Sequence, residues 1–193
     1  MNAGINVSID AETMERAAAL LANVPHGAER AAMNAINRGL SRVKTTAFRG
    51  VKEVYTVQSS ALNSATTTQV QKASTGDLAG YVRFSGVKIP LYKFKVTPKR
   101  PGTGKTVKAT MEKGGGGVYQ SAFIAAMSKS SGHTGVFRRE GKKRYPISEY
   151  MGLSAAQMAG NEKVSTKVQE ESQELVNARL EHEIERLLNN YGG

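Results

Sequence analysis

The chain lacks cysteine and tryptophan and has only five prolines among 193 residues. Without cysteine there is no disulfide and no thiolate metal site, and the redox compartment stays open. With aromatics at 6%, the core must rest on Ala, Val, Ile, Leu and Met. No apolar run approaches the ~20 residues that a membrane helix needs. The opening MNAGINVSIDAETME has neither a basic head nor an apolar block, so no secretory leader is expected. The sequon-like Asn6-Val7-Ser8 is then read as chance.

Catalytic groupings are missing as well. His26, His133 and His182 are far apart in sequence and lack the spacing of metal ligands. Paired carboxylates occur only as surface Glu on the last helical segment. Gly152-Leu153-Ser154-Ala155-Ala156 lacks the second glycine of a nucleophile elbow. Pro101-Gly102-Thr103-Gly104-Lys105-Thr106 resembles a phosphate loop, but Lys99 stands where that motif needs its first Gly. The residues after Lys105 alternate like a strand, whereas a phosphate loop must open a helix. No enzyme, metal, cofactor, small-molecule substrate or membrane partner is expected.

What is abundant is positive charge. The net charge is +11. Residues 88–113 hold eight Lys/Arg against one Glu, and residues 138–144 hold five against one. These two stretches account for the whole excess. A localised basic excess points to a polyanion or an acidic protein face.

A hydrophobic content of 39% over 193 residues supports one real core. We expect a single domain: an arm with a short helix over 1–24, a core helix and sheet over 25–160, and a C-terminal helix over 161–193. Asp10 is a suitable N-cap for a helix over 11–21. From Pro25 to about Tyr55, Ala28, Ala31, Ala32, Ala35, Ile36, Gly39, Leu40, Val43, Ala47 and Val51 recur at helical steps. That face is mostly small, so a neighbour can approach closely, either within the subunit or from another one. Residues 56–77 read as a polar connector with a short helix near 60–65, a strand starting near 69–73 and a turn at Gly76-Asp77.

Residues 78–85 alternate, with Leu78, Gly80, Val82 and Phe84 on one side. Residues 92–97 place Tyr92, Phe94 and Val96 on one face and Lys93 and Lys95 on the other. Residues 106–112 place Val107, Ala109 and Met111 opposite Lys108. A Pro/Gly loop carrying Lys99, Arg100 and Lys105 joins the two, so a hairpin with one apolar and one basic face is expected. After the flexible Gly114–Gly117 run, residues 118–127 are apolar on both faces and read as a covered central strand. A turn-rich loop over 128–134 and a last strand over 136–138 follow. From Asn161 on, Val164, Val168, Val176, Leu180, Ile184 and Leu188 form a four-residue ladder, widened by Leu175, Leu187 and Tyr191. Gly192-Gly193 follow as a stop. The whole is α+β: a long N-terminal helix and a C-terminal helix packed on a small, mostly antiparallel β-sheet with a basic hairpin.

The most distinctive stretch is residues 135–158, GVFRREGKKRYPISEYMGLSAAQM. It begins as a strand, turns basic with Arg138 and Arg139, and passes through Pro146-Ile147 to Gly152-Leu153-Ser154 and Gln157-Met158. This pattern closely resembles the signature of the phage minor tail protein Z family. The same resemblance runs through Ala35-Ile36-Asn37-Arg38 with Lys44-Thr45, Ile89-Pro90-Leu91 with Phe94, Ala122-Phe123-Ile124-Ala125 and Phe137. It covers about residues 5–190. The family often has Pro after the Gly of the last block, where Leu153 stands here, which leaves that connector less rigid.

The resemblance implies a structural virion protein of a long-tailed phage. It implies a tail-completion or neck ring at the head-proximal end of the tail, made in the bacterial host cytoplasm. Such a ring, sixfold by implication, joins tail to head and lets double-stranded DNA pass. Its implied partners are further copies of itself and the adjacent head-closure and tail-terminator rings. Asn37, Arg38, Pro90, Phe137, Pro146, Gly152, Ser154 and Met158 become interface candidates. Lys93, Lys95, Lys99, Arg100, Lys105, Lys108, Arg138 and Arg139 become the partner- or DNA-facing cluster. The alternative is a free-standing basic nucleic-acid-binding protein, which would interleave aromatics with its basic residues for base stacking.

Overall fold

The computed structural model describes residues 3–127 and 132–191. The expected stop at Gly192-Gly193 and the first part of the 128–134 loop lie outside them, as does the Tyr191 side chain. The helical elements are α1 (Ala11–Leu20), α2 (Gly27–Val54), α3 (Ser59–Ser64), α4 (Ala155–Ala159) and α5 (Glu162–Tyr191). The first five strands are β1 (Ala3–Ser8), β2 (Thr66–Gln71), β3 (Ala79–Gly86), β4 (Lys88–Pro90) and β5 (Lys95–Thr97). The remaining strands are β6 (Val107–Thr110), β7 (Gly117–Tyr119), β8 (Ala122–Ala126), β9 (Thr134–Arg139), β10 (Ile147–Glu149) and β11 (Met151–Ser154). The fold is α+β, as the periodicities predict, with two long helices and antiparallel strand pairs. Contacts group the chain into two compact units.

The first unit comprises residues 3–50, Thr68–Phe84 and residues 159–191. Asp10 caps α1: its carboxylate accepts from the Thr13 amide and hydroxyl, both at 2.8 Å. Those bonds hold the Asp10 carboxyl below its ordinary range. On α2, Ala31, Ala32, Ala35, Ile36 and Val43 have no exposed surface, and Leu40 and Ala47 almost none. The small-residue face, which the sequence left open to a neighbour within the subunit or from another one, is covered within the chain at these positions. Small residues there allow close approach: a Cβ on Gly39 would stand 2.5 Å from Val176 of α5.

On α5 the ladder Val164, Val168, Val176, Leu180 and Ile184 is buried, each large side chain contributing about 1.5–3 kcal/mol of transfer free energy. Two rungs differ from expectation. Ser172 fills the polar gap and is itself buried, and Leu187 takes the last rung while Leu188 is exposed.

β1 is an element the helical arm did not predict. Ile5 and Val7 alternate inward, and β1 pairs antiparallel with β3, Ile5 opposite Val82. Gln169 of α5 donates to the Asn6 carbonyl at 2.9 Å. On β3, Gly80, Val82 and Phe84 face inward, as alternation predicts. The sheet order is β1-β3-β2. Glu183 is the one buried charge of α5. Arg186 donates to it at 2.7 Å, and Asn34 of α2 donates at 3.3 Å.

The second unit comprises Val51–Thr67 and Ser85–Met158. Its core is Leu91, Val96, Val107, Ala109, Ile124 and Val136, with Tyr92, Met111, Tyr119 and Tyr150 packed against it. The sheets are β5-β6-β7, β10-β9-β8 and β11-β4. The segment after α2 is clipped to the hairpin by backbone bonds: the Thr56 amide donates to Met111 at 2.9 Å and the Gln58 amide to Lys93 at 2.9 Å.

Three expectations are corrected in this unit. Residues 118–127 are not one covered strand. A turn at Ser121, with φ 60°, splits them into β7 and β8, which are both sheet edges with only Ile124 buried. The strand near 136–138 is not the last, because the chain re-enters the sheet as β10 after Pro146. Residues 91–93 form a 3-10 turn closed by the Phe94 amide on the Leu91 carbonyl at 3.0 Å. The strand therefore begins only at Lys95.

Candidate interaction surface

The hairpin is built as its alternation requires. Val96 lies opposite Ala109, both buried, while Lys95 and Lys108 occupy the other face beside Thr97 and Thr110. Antiparallel partners share a face, so the register makes one side apolar and one side basic. β7 extends that basic side, placing exposed Val118 opposite Lys108. Lys93 is the exception. It sits half-buried in the 3-10 turn and is not placed on the hairpin face by strand alternation. Tyr92 departs with it: it is half-buried, and its hydroxyl donates to the Lys99 carbonyl at 2.9 Å, fixing the start of the Pro/Gly loop.

That loop folds over the edge of β8. Gly102 and Gly104 adopt φ of 73° and 65°, left-handed conformations that glycine takes without strain. Beneath it lies a cleft of about 530 Å³, whose charged lining residues are Arg100, Lys105 and Arg139, with Thr103, Ser121 and Phe123 between them. Among the described residues no carboxylate lines it. The phosphate-loop lookalike is thus the tip of a hairpin, and Lys105 leads into β6.

β9 supplies the rest of the surface. Arg138 bonds Ser148 at 3.1 Å and lies over the Tyr150 ring, 5.7 Å from its centroid. Arg139 points elsewhere: it donates to the Arg144 carbonyl at 2.6 Å and lies 5.0 Å over Phe123. Arg144 in turn lies over Tyr145, and with Arg139 it borders a second cleft of about 230 Å³. Cation–π stacking of this kind fixes a guanidinium while leaving its charge uncompensated. Among the described residues none of Lys95, Lys99, Arg100, Lys105, Lys108, Arg138 and Arg139 is in an ion pair.

The structure therefore brings Arg100, Lys105 and Arg139 to one cleft and puts Lys95 and Lys108 on the hairpin face. Sequence reasoning missed Phe123, Arg144, Tyr145 and Tyr150 as partners of the basic residues. Their signal was present, since residues 138–150 interleave arginine with tyrosine, but only the β8–β9–β10 pairing shows which ring meets which guanidinium.

The other candidate residues have local structural tasks. Asn37 exchanges two hydrogen bonds, each 3.0 Å, with the backbone of Ala73. Arg38 is exposed on α2. Pro90 ends β4 opposite Met151. Phe137 is buried and tilted against Phe123. The Pro146 carbonyl accepts from the Glu140 amide at 3.2 Å, closing the basic loop. A side chain on Gly152 would meet the Phe94 ring at 2.6 Å. Ser154 and Gln157 form a reciprocal capping box at the start of α4, with bonds of 2.9 and 3.2 Å. Met158 is fully buried.

Among the described residues no group of His, Asp and Glu could hold a metal ion, and no helix is long and apolar enough to cross a membrane. A family model described as prophage minor tail protein Z (GPZ) matches residues 12–191. No curated protein and no solved structure matches the chain.

Proposed function

Because the chain belongs to the prophage minor tail protein Z family, we propose that it is the tail-completion ring of its particle. It sits at the head-proximal end of the tail and helps join tail to head. The coarser part follows from membership: a minor tail protein is a structural component of the phage tail. The observation that carries the reading is the extent of the match, residues 12–191 of 193. It spans both compact units and both long helices.

Ring assembly uses heterologous contacts that close by rotation, and six copies suit the sixfold parts of a tail. The neighbours are then the head-closure and tail-terminator rings, with double-stranded DNA passing through the centre. The protein is made in the host cytoplasm and is not an enzyme. The basic surface supports a role in joining, because it presents a set of cations with no carboxylate partner to whatever it meets.

The alternative, a free-standing nucleic-acid-binding protein, gains one observation. Arg138, Arg139 and Arg144 stack on Tyr150, Phe123 and Tyr145. Yet Phe123 and Tyr150 are half-buried beneath those guanidiniums and serve as supports rather than open stacking platforms. The deciding experiment is to remove the protein during phage growth and sort the products by electron microscopy. Full heads and complete but unjoined tails support the reading. Normal infectious particles lacking the protein refute it.

A further inference from the structure

Charge is divided unequally between the two units. Val51–Thr67 and Ser85–Met158 carry fifteen Lys/Arg against four Asp/Glu, while the rest of the chain carries twelve of each. Within the balanced unit, α5 is acidic, with seven Glu against four Lys/Arg. Three of its glutamates are paired inside that unit: Glu171 with Arg49, Glu181 with Arg16, and Glu183 with Arg179 and Arg186. Glu170, Glu174 and Glu185 are exposed and have no ion-pair partner among the described residues.

Their placement is regular. At 3.6 residues per turn, Glu170, Glu174 and Glu185 fall within about 60° of one another. The stripe runs along ~22 Å of helix at 1.5 Å per residue. It lies opposite the buried ladder of Val168, Ser172, Val176 and Leu180. Glu170, Glu174 and Glu185 thus face away from the core of their own unit and form no ion pair within it among the described residues.

We propose that the cleft beneath the Pro/Gly loop receives the acidic stripe of α5 from a second copy of this chain. The proposal rests on the ring reading and specifies which two surfaces close the ring. A heterologous interface joins two different patches that every copy carries, and this chain carries two of opposite sign. Among the described residues the cleft is lined by three cations and no carboxylate, and Arg139 is already held in place by Phe123 and the Arg144 carbonyl. A pre-positioned guanidinium suits a carboxylate, which it can meet through its remaining N–H donors. Basic units repeated around a ring would repel one another unless each met negative charge. Duplex DNA could neutralise the cleft, but it would leave the glutamate stripe unmatched.

The test is a charge exchange. One variant carries Arg100→Glu, Lys105→Glu and Arg139→Glu; a second carries Glu170→Lys, Glu174→Lys and Glu185→Lys; a third carries all six. Each half-variant should lower the yield of joined particles by roughly tenfold or more, the ratio that a loss of about 1.4 kcal/mol at the interface gives. The six-fold exchange should restore it. Circular dichroism checks that each chain folds. Should a triple variant fail to fold, Lys105→Glu with Glu174→Lys repeats the exchange at two exposed positions.

In wild-type particles, a zero-length carbodiimide should couple Lys105 of one copy to Glu170 or Glu174 of another, with mixed isotope labels identifying links between copies. Links between copies at other positions would overturn this pairing and leave the ring standing. An absence of any link between copies would count against the ring itself. A duplex mobility shift lost in the first variant and kept in the second would make the cleft a nucleic-acid site and overturn the proposal.

Discussion

Gly39→Ala tests the packing of α2 against α5 most sharply. An alanine Cβ at this position would stand 2.5 Å from Val176 Cγ2 and 3.6 Å from Val7 Cγ1. Val176 is fully buried on a helix, where its branched side chain has one favoured rotamer. It cannot swing away without leaving that rotamer or moving the backbone. Overpacking of this size costs about 1–3 kcal/mol. The gain in helix propensity from Gly to Ala offsets about 1 kcal/mol of that. The net prediction is a loss of up to ~2 kcal/mol, although the same change at an exposed helical site would stabilise.

Val176→Ala alone should cost about 2 kcal/mol through lost burial and the cavity it leaves. In the double variant the new methyl occupies part of the space that Val176 vacates. The two costs should then fail to add by about 1–2 kcal/mol in urea unfolding. Additivity within ~0.5 kcal/mol would show that the two positions do not press on each other.

Glu183→Gln should destabilise by about 1.5–3 kcal/mol at neutral pH, since it removes a charged acceptor from hydrogen bonds to Arg186. Burial pushes the Glu183 carboxyl up, but the hydrogen bond and charge of Arg186, the charge of Arg179 and the Asn34 bond together hold it below its ordinary 4.5. A lowered folded value means stability that is present above 4.5 and lost as pH falls through the folded value. The gap between wild type and Glu183→Gln in denaturant melts should therefore narrow as pH falls below 4.5; a gap of unchanged size across the acid range would contradict this. Lys95→Glu with Lys108→Glu should leave the far-ultraviolet dichroism unchanged, because both side chains are exposed on the hairpin face, and should impair head-to-tail joining; full infectivity would reduce the face to a solubility feature. Lys105→Ala should change no ATP turnover, because Lys105 leads into a strand rather than opening a helix; specific hydrolysis abolished by the substitution would sink the hairpin-tip account of the loop.

Long periodic segments were legible in the sequence, and short ones only where their own local pattern was clean. α2 and α5 each repeat an apolar step over seven or so turns (at about 3.6 residues each), and that many matches overrides local noise. β3 and the β5–β6 hairpin were legible because their alternation is clean and a Pro/Gly loop separates the two arms. β1 offers only Ile5 and Val7 and becomes a strand through pairing with β3, which no local pattern encodes. The 118–127 segment misled because apolar residues on both faces also occur on edges lying beside other strands. The 3-10 turn at Leu91 misled because Tyr92, Phe94 and Val96 alternate in the sequence while Pro90 redirects the backbone.

The basic cluster was legible as composition; its division between a cleft and a hairpin face came from the register of β5, β6 and β9. Gly152 and Ser154 stood out by resemblance to a family. The structure gives them physical reasons, a close approach to Phe94 and a helix cap.

The most direct measurement is a reconstruction of the assembled particle at a resolution that traces side chains through the neck. The account predicts this chain as a closed ring of six at the head-proximal end of the tail, with DNA or its channel along the axis. Density for the chain at the tail tip, along the tail tube, or in no part of the virion would contradict it.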